Sequence, residues 1–494
     1  MACTTILAGK KATYDGSTMI ARNDDSGGGH FTAKKFVVVR PEDQPRNYRS
    51  VLSHAEIELP ENPMRYTAVP NALEGEGIWA AGGINEENIA MTATETITSN
   101  ARVLGADPLI KYIPAEKGLS ETKGGIGEED LVVLVLPYIH SAREGVTRLG
   151  GLLQKYGTWE MNGIAFQDVN EIWWLETIGG HHWIARKVPD DSYVVMPNQF
   201  GMDAFDLDDA FGSRKNTMCS EDLREFIQEN HLDLSLNGIF NARTAFGSCD
   251  DADHVYNTPR AWYTERFLNP HSNTWDGPDA DFRPDSDDIP WCRVPEKKIT
   301  PEDIKYILSS HFQRTPYDPY SSCGDSSRKG AYRSIGVNRT SFMALFQIRP
   351  DLPDSFRSVE WLSFGSNVFN ASVPLYVNIN TVPEYLSNTG KEVSTDNFYW
   401  SNRLIGALAD SRYAACLAHI ERYQYAVAIK GHELIGKYDK ELAAAAEGED
   451  STRLCERANQ EITDMLKAQT QSVLDQVLFE ASSGMKNAYA RSDA

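Results

Sequence analysis

The runs Met1-Ala2-Cys3-Thr4-Thr5-Ile6-Leu7-Ala8 and Thr18-Met19-Ile20-Ala21-Arg22-Asn23-Asp24-Asp25 decide how this chain folds. Each opens as a short stretch of apolar and β-branched residues, a composition that suits extended backbone. Tyr14-Asp15-Gly16-Ser17 lies between them and carries turn chemistry. Residues 4–8 and 18–22 are therefore expected to pair as neighbouring antiparallel strands, which brings the Arg22 region to Cys3. A lone cysteine is most often a small buried hydrophobe. A guanidinium beside it changes its chemistry, because the positive charge favours thiolate over thiol.

A thiol nucleophile also needs a base. A cysteine at a true N-terminus carries one, since an α-amine titrates at about 7.7–8.0 and can take the thiol proton and return it to a leaving amine. Asp25 or Asp24 is positioned to hold that amine. Ala2 precedes Cys3, however, and an amide nitrogen is no base. The mechanism therefore predicts that residues 1–2 are a short propeptide, removed by Cys3 itself or by another peptidase.

Outward from this hairpin, residues 36–40, 78–83 and 89–96 read as strands, the last two around the turn Asn85-Glu86-Glu87-Asn88. Residues 128–153 place Leu131, Val132, Leu134, Val135, Ile139, Val146, Leu149 and Leu152 at helical spacing. Strands return at 163–167, 171–177, 182–186 and 193–196, and again at 341–348, 358–362 and 372–377. Between them, about 220–334 is an elaboration with aspartate-rich loops. The chain ends in helices, the last expected to be capped by Asp450 or Ser451 and to pack its apolar stripe on its own domain. This order of elements predicts an α+β class. The expected division is a catalytic domain over 3–400 and a helical extension over 401–494.

The 494 residues carry 48 Lys and Arg against 70 Asp and Glu, a net charge of −22. Such a polyanion repels phosphate backbones and anionic lipid, which disfavours nucleic-acid and membrane-surface roles. Seven widely spaced cysteines with no C-x-x-C pair fit free thiols in a reducing compartment. The first residues have no basic region or apolar run of signal-peptide length. A cytoplasmic protein is expected, with its oligomeric state left open.

These residues resemble a known group. Cys3, Asp15-Gly16-Ser17, Arg22-Asn23-Asp24-Asp25 and Gly83-Ile84-Asn85-Glu86 are similar to the N-terminal-nucleophile (Ntn) hydrolases that use cysteine, among them the choloylglycine hydrolases and penicillin V acylases. Met-Ala-Cys-Thr-Thr, residues 21–25, Thr94-Glu95-Thr96 and Asp410-Ser411-Arg412-Tyr413 resemble the dipeptidase A family more closely, which also holds the eukaryotic secernins. The resemblance implies a four-layer αββα sandwich and cofactor-free hydrolysis of dipeptides through an acyl-enzyme. Carried over by position, Cys3 is the nucleophile, Arg22 its charged neighbour and Asp25 the group orienting the amine. Asn198 is similar to the asparagine of the oxyanion hole, and Glu95 stands where the acylases have another polar residue. Arg339 resembles the second active-site arginine, with Arg333 close enough in sequence to compete. Asp24 and Glu95 are assigned to a dipeptide's ammonium and Arg339 to its carboxylate. The alternatives are an amide acylase of the choloylglycine or penicillin V kind, and a non-catalytic secernin-like interaction protein.

Other features read as structural. His181-His182 would point to opposite faces of a strand and so make a poor metal pair. Asp250, Asp251, Asp253 and His254, and separately Asp279 to Asp288, lack calcium-loop spacing. Gly27-Gly28-Gly29-His30 is no phosphate loop and is expected near the substrate entrance. Trp173, Trp174 and Trp183 read as core. No metal ligand set is assigned.

Overall fold

The computed structural model describes residues 3–27, 30–236, 238–445 and 449–486, and only the backbone of Thr94, Glu95, Glu449 and Asp450. The propeptide residues Met1 and Ala2, and Gly28-Gly29 of the glycine loop, lie outside the described residues.

Strand Thr4–Ala8 pairs antiparallel with Thr18–Asp25, setting Thr5 opposite Arg22 and Leu7 opposite Ile20. Both strands are buried along their whole length, because they lie at the centre of a seven-stranded sheet. Its order is Cys292–Arg293, Tyr193–Met196, Thr4–Ala8, Thr18–Asp25, Thr340–Ile348, Ser358–Phe364 and Val373–Tyr376. A second sheet of eight strands runs Thr217–Cys219, His182–Lys187, Ile172–Ile178, Asn162–Gln167, Ala90–Thr96, Gly82–Asn85, Tyr66–Ala68 and Val37–Val39. Strand pairs in both sheets are antiparallel.

The sheets meet face to face, with Thr18–Asp25 against Ala90–Thr96 and Asn162–Gln167. Helices Leu131–Val135 and Ala142–Tyr156 pack on the second sheet. Gly145 and Gly150 permit that approach, since a Cβ there would come within 2.4 Å of the Phe166 ring and 2.3 Å of the Trp183 ring. On the first sheet, helix Pro301–Leu308 covers Thr18–Asp25, and Phe398–Asp410 covers Ser358–Phe364. The long helices Tyr413–Ala444 and Glu449–Ser483 pair with each other and with Val373–Tyr376. One hydrophobic core runs from Ile6 and Ile20 through Phe346 to Val427 and Ile462, so these helices share the core of the sheets. A second core lies between the second sheet and helix Ala142–Tyr156. Among the described residues no helix is long and apolar enough to cross a membrane.

The α+β expectation holds, with local corrections. The helical run at 128–153 is split, because Pro137 forms a 3-10 turn over Leu136–Tyr138 and Ser141 starts a new helix by accepting from Glu144 N–H. Residues 78–81 are not strand. Trp79 (φ 46°) and Ala81 (φ 55°) adopt left-handed backbone there, which ends sheet pairing. The last helix already includes Glu449, so the expected caps Asp450 and Ser451 both lie within it. Trp173, Trp174 and Trp183 are core as expected.

Candidate active site around Cys3

Cys3 ends the run-in to the central strand and is fully buried. The register that sets Thr5 opposite Arg22 carries the guanidinium to the sulfur, with Arg22 Nη2 2.7 Å from Cys3 Sγ. The same nitrogen lies 3.4 Å from Asp24 Oδ1 and 3.3 Å from Glu128 Oε1. Arg22 Nη1 donates to the carbonyl of Ala81 at 3.3 Å. The left-handed turn at residues 79–81 thus has a purpose, since it aims backbone carbonyls at two buried cations. Lys34 Nζ takes the Trp79 carbonyl at 2.8 Å and pairs with Asp24 Oδ2 at 3.0 Å.

Cys3, Asp24 and Glu128 would also suit a metal, since their ligand atoms lie within 4.8 Å of one another. Arg22 Nη2 contacts all three side chains, so the guanidinium supplies positive charge at that point. Glu160 stands behind them and accepts the Glu128 backbone N–H at 2.6 Å. Burial, with the Glu128 charge second, pushes its carboxyl up to about 7.

Asp25 is held on a separate set of partners. Thr340 Oγ1 donates to its Oδ1 at 2.5 Å, and Arg333 forms a buried ion pair with its Oδ2. Burial is the largest single influence on the Arg333 guanidinium and would lower it, but Asp25 and Tyr256 together outweigh it and hold the group above the usual arginine range. Of the two competing arginines, Arg333 is therefore the one that reaches a site carboxylate. Arg339 donates to the Tyr256 hydroxyl. Both stack on the Tyr256 ring, 5.2 and 5.9 Å from its centroid.

Asn198 donates to the Thr96 carbonyl at 2.9 Å and accepts from Arg260 Nη2 at 2.8 Å. Arg260 was not among the residues singled out in the sequence, and it is a central one. Its buried guanidinium donates to the Cys3 carbonyl, to Thr4 Oγ1 at 2.8 Å and to Asn257 Oδ1 at 2.7 Å. It thereby ties the Cys3 backbone to Asn198. Asn257-Thr258-Pro259 is a readable helix start, but nothing in the spacing says that Arg260 points inward. Lys34 and Glu128 were missed for the same reason. Glu95 is placed by its backbone alone, opposite Gly163 after a register shift at Ala93.

His181 and His182 do meet, contrary to the alternation argument. His181 precedes the strand, and the two rings bind opposite oxygens of Asp107 at 2.9 and 2.7 Å. Asp107 is buried, which alone would raise its carboxyl, yet the hydrogen bonds from His182 and His181 hold it down to about 2.

Comparison with known proteins matches the sequence to one group. The sequence profile of Peptidase family C69 matches residues 2–426. The chain belongs to peptidase family C69. Among its relatives is a dipeptidase of Bifidobacterium longum, 53% identical over the full length of both chains. A probable dipeptidase A of Streptococcus pyogenes is 52% identical, also over the whole of both. Dipeptidase A of Lactobacillus helveticus is 43% identical, over 97% of this C69 peptidase and 96% of the relative. The match begins before Cys3 and ends inside helix Tyr413–Ala444, so it takes in both sheets and the whole Cys3 environment.

Proposed function

We propose that this C69 peptidase is a cysteine dipeptidase of broad specificity, built as a four-layer αββα Ntn hydrolase. Two facing sheets with helices on their outer sides support the fold reading. One observation carries the mechanism: Cys3 Sγ lies 2.7 Å from Arg22 Nη2, at the start of the central strand. The relatives named as dipeptidases carry the substrate class.

In this reading scission before Cys3 frees its α-amine, which Asp25 orients while Arg333 and Thr340 fix the carboxylate. The amine takes the thiol proton and the sulfur attacks the peptide carbonyl. Charge develops on the carbonyl oxygen, where Asn198, steadied by Arg260, belongs to the oxyanion hole. The carbon–nitrogen bond breaks, and the amine of Cys3 returns the proton to the departing amino acid. Water then hydrolyses the thioester and releases the other. A preorganised oxyanion donor of this kind contributes roughly 2.7–4 kcal/mol in a hydrolase. Asp24 is committed to Arg22 and Lys34, so we assign the substrate ammonium to Glu95 and its carboxylate to Arg339.

The test compares a dipeptide with its N-acetylated form. A free-amine requirement is expected, with the blocked form turned over far more slowly. Preference for the blocked form would replace this reading by the amide-acylase one. Unaltered turnover in Cys3→Ala would remove Cys3 from the mechanism.

A further inference from the structure

Two acidic runs that the sequence keeps apart come together on the surface. His254, in the last turn of helix Asp251–Tyr256, places Nε2 2.9 Å from Oδ1 of Asp287, which belongs to the loop run 279–288. Cys249, just before the N-cap Asp250, completes the group, and the thiol, imidazole and carboxylate atoms all lie within 4.8 Å of one another.

We propose that Cys249, His254 and Asp287 form a binding site for one borderline divalent cation, zinc above all. The donor set selects this class: thiolate and imidazole suit zinc, whereas calcium and magnesium take oxygen ligands. Tetrahedral zinc at about 2.0–2.3 Å from its ligands sets them roughly 3.3–3.6 Å apart. Shifts under about 1 Å reach that spacing. Cys249 and Asp287 are exposed, so water can enter and take the fourth position. Asp250, Asp253 and Asp285 act electrostatically on the cluster and add negative potential. Thiolate and carboxylate would balance the charge of a dication, and binding displaces the thiol proton to solvent.

The site would also stiffen the frame of Cys3. Asn257, three residues beyond His254, donates to the Asn198 carbonyl at 3.0 Å and accepts from Arg260. A metal bridging Cys249, His254 and Asp287 pins the segment that carries these contacts. The proposal does not depend on the peptidase reading.

The experiment titrates the purified full-length protein with Co(II) as a spectroscopic probe and then displaces it with Zn(II). One equivalent is expected to give tetrahedral d–d bands and a thiolate-to-cobalt charge-transfer absorption. Cys249→Ser is expected to abolish the charge-transfer band. His254→Gln and Asp287→Asn are expected to weaken binding by more than the roughly 10–100-fold that loss of an outer-shell partner costs. Zinc should raise the melting temperature of the parent protein and leave Cys249→Ser unchanged. The proposal is overturned if no saturable binding occurs, or if the band survives in Cys249→Ser. Loss of the band in Cys3→Ser alone also overturns it, because the metal then sits at the nucleophile. Cys249 and Asp287 are exposed and His254 is partly so, and circular dichroism verifies that each variant, Cys3→Ser included, is folded.

Discussion

Replacing Arg22 by Gln tests the electrostatics of the Cys3 site quantitatively. With Nη2 at 2.7 Å from the sulfur, the guanidinium charge centre lies about 4 Å away, worth about 4 kcal/mol at an effective dielectric constant of about 20. The substitution also removes a cation that lies 3.4 Å from Asp24 and 3.3 Å from Glu128, while Lys34 stays paired with Asp24. Rearrangement of the neighbouring charges limits the net loss of thiolate stabilisation to roughly 2–3 kcal/mol, or about 30–160-fold. The measurement is kcat/KM for a dipeptide at pH 7, on protein whose mass places Cys3 at its start. Turnover is the right readout because Cys3 is buried. Removing one partner of a buried ion pair costs about 3–5 kcal/mol of stability, so the companion variant Arg22→Gln/Glu128→Gln restores charge balance. A carboxylate oxygen of Glu128 lies within 4.8 Å of the sulfur. Removing its repulsion offsets about 3 kcal/mol, and the double variant is expected within about tenfold of the parent. A folded Arg22→Gln protein with activity within about twofold of the parent would refute the reasoning. A double variant no better than the single would refute it as well.

Arg260→Lys keeps the charge but offers three donors to five acceptors, so at least two of the Cys3 and Tyr256 carbonyls, Thr4, Asn198 and Asn257 lose the hydrogen bond from this residue. A stability loss of roughly 2–6 kcal/mol is expected from denaturant titration, and kcat should fall by about 100-fold with KM little changed. Burial pushes Glu360 up to about 8, and its Oε1 has no hydrogen-bond partner among the described residues. The folded state therefore keeps this proton over a pH range in which the unfolded chain has lost it. Its contribution is complete below about pH 4.5 and is lost as pH rises to about 8, by on the order of 3–5 kcal/mol at most. Denaturation at pH 5 and pH 8 should give a smaller loss for Glu360→Gln than for the parent, and equal losses would contradict the assignment.

The sequence carried the hairpin and its chemistry because both are local. Residues 4–8 and 18–25 have strand composition, and one antiparallel pairing is enough to bring Arg22 to Cys3. Asp25 was open against Asp24 until family likeness chose it, Asn198 entered through that likeness alone, and both lie among polar partners. The missing residues share a physical cause. Arg260 lies 257 residues from Cys3, and Glu128 lies 106 from Arg22. Only the packing of helix against sheet and of sheet against sheet selects them from the other charged residues. The left-handed backbone at Trp79 and Ala81 was equally hidden, because it runs against residue preference and is held in place by Lys34 and Arg22. His181 and His182 mark the limit of alternation arguments, which hold inside a strand but not at its first residue.

The account stands on Cys3 being both attacker and proton carrier. Intact mass spectrometry of each chromatographic fraction, read beside its dipeptide turnover, tests this directly. Activity is expected to follow the species that lacks Met1 and Ala2, and Cys3→Ser should slow or abolish its formation. Full turnover in a fraction that still carries both residues would contradict the mechanism.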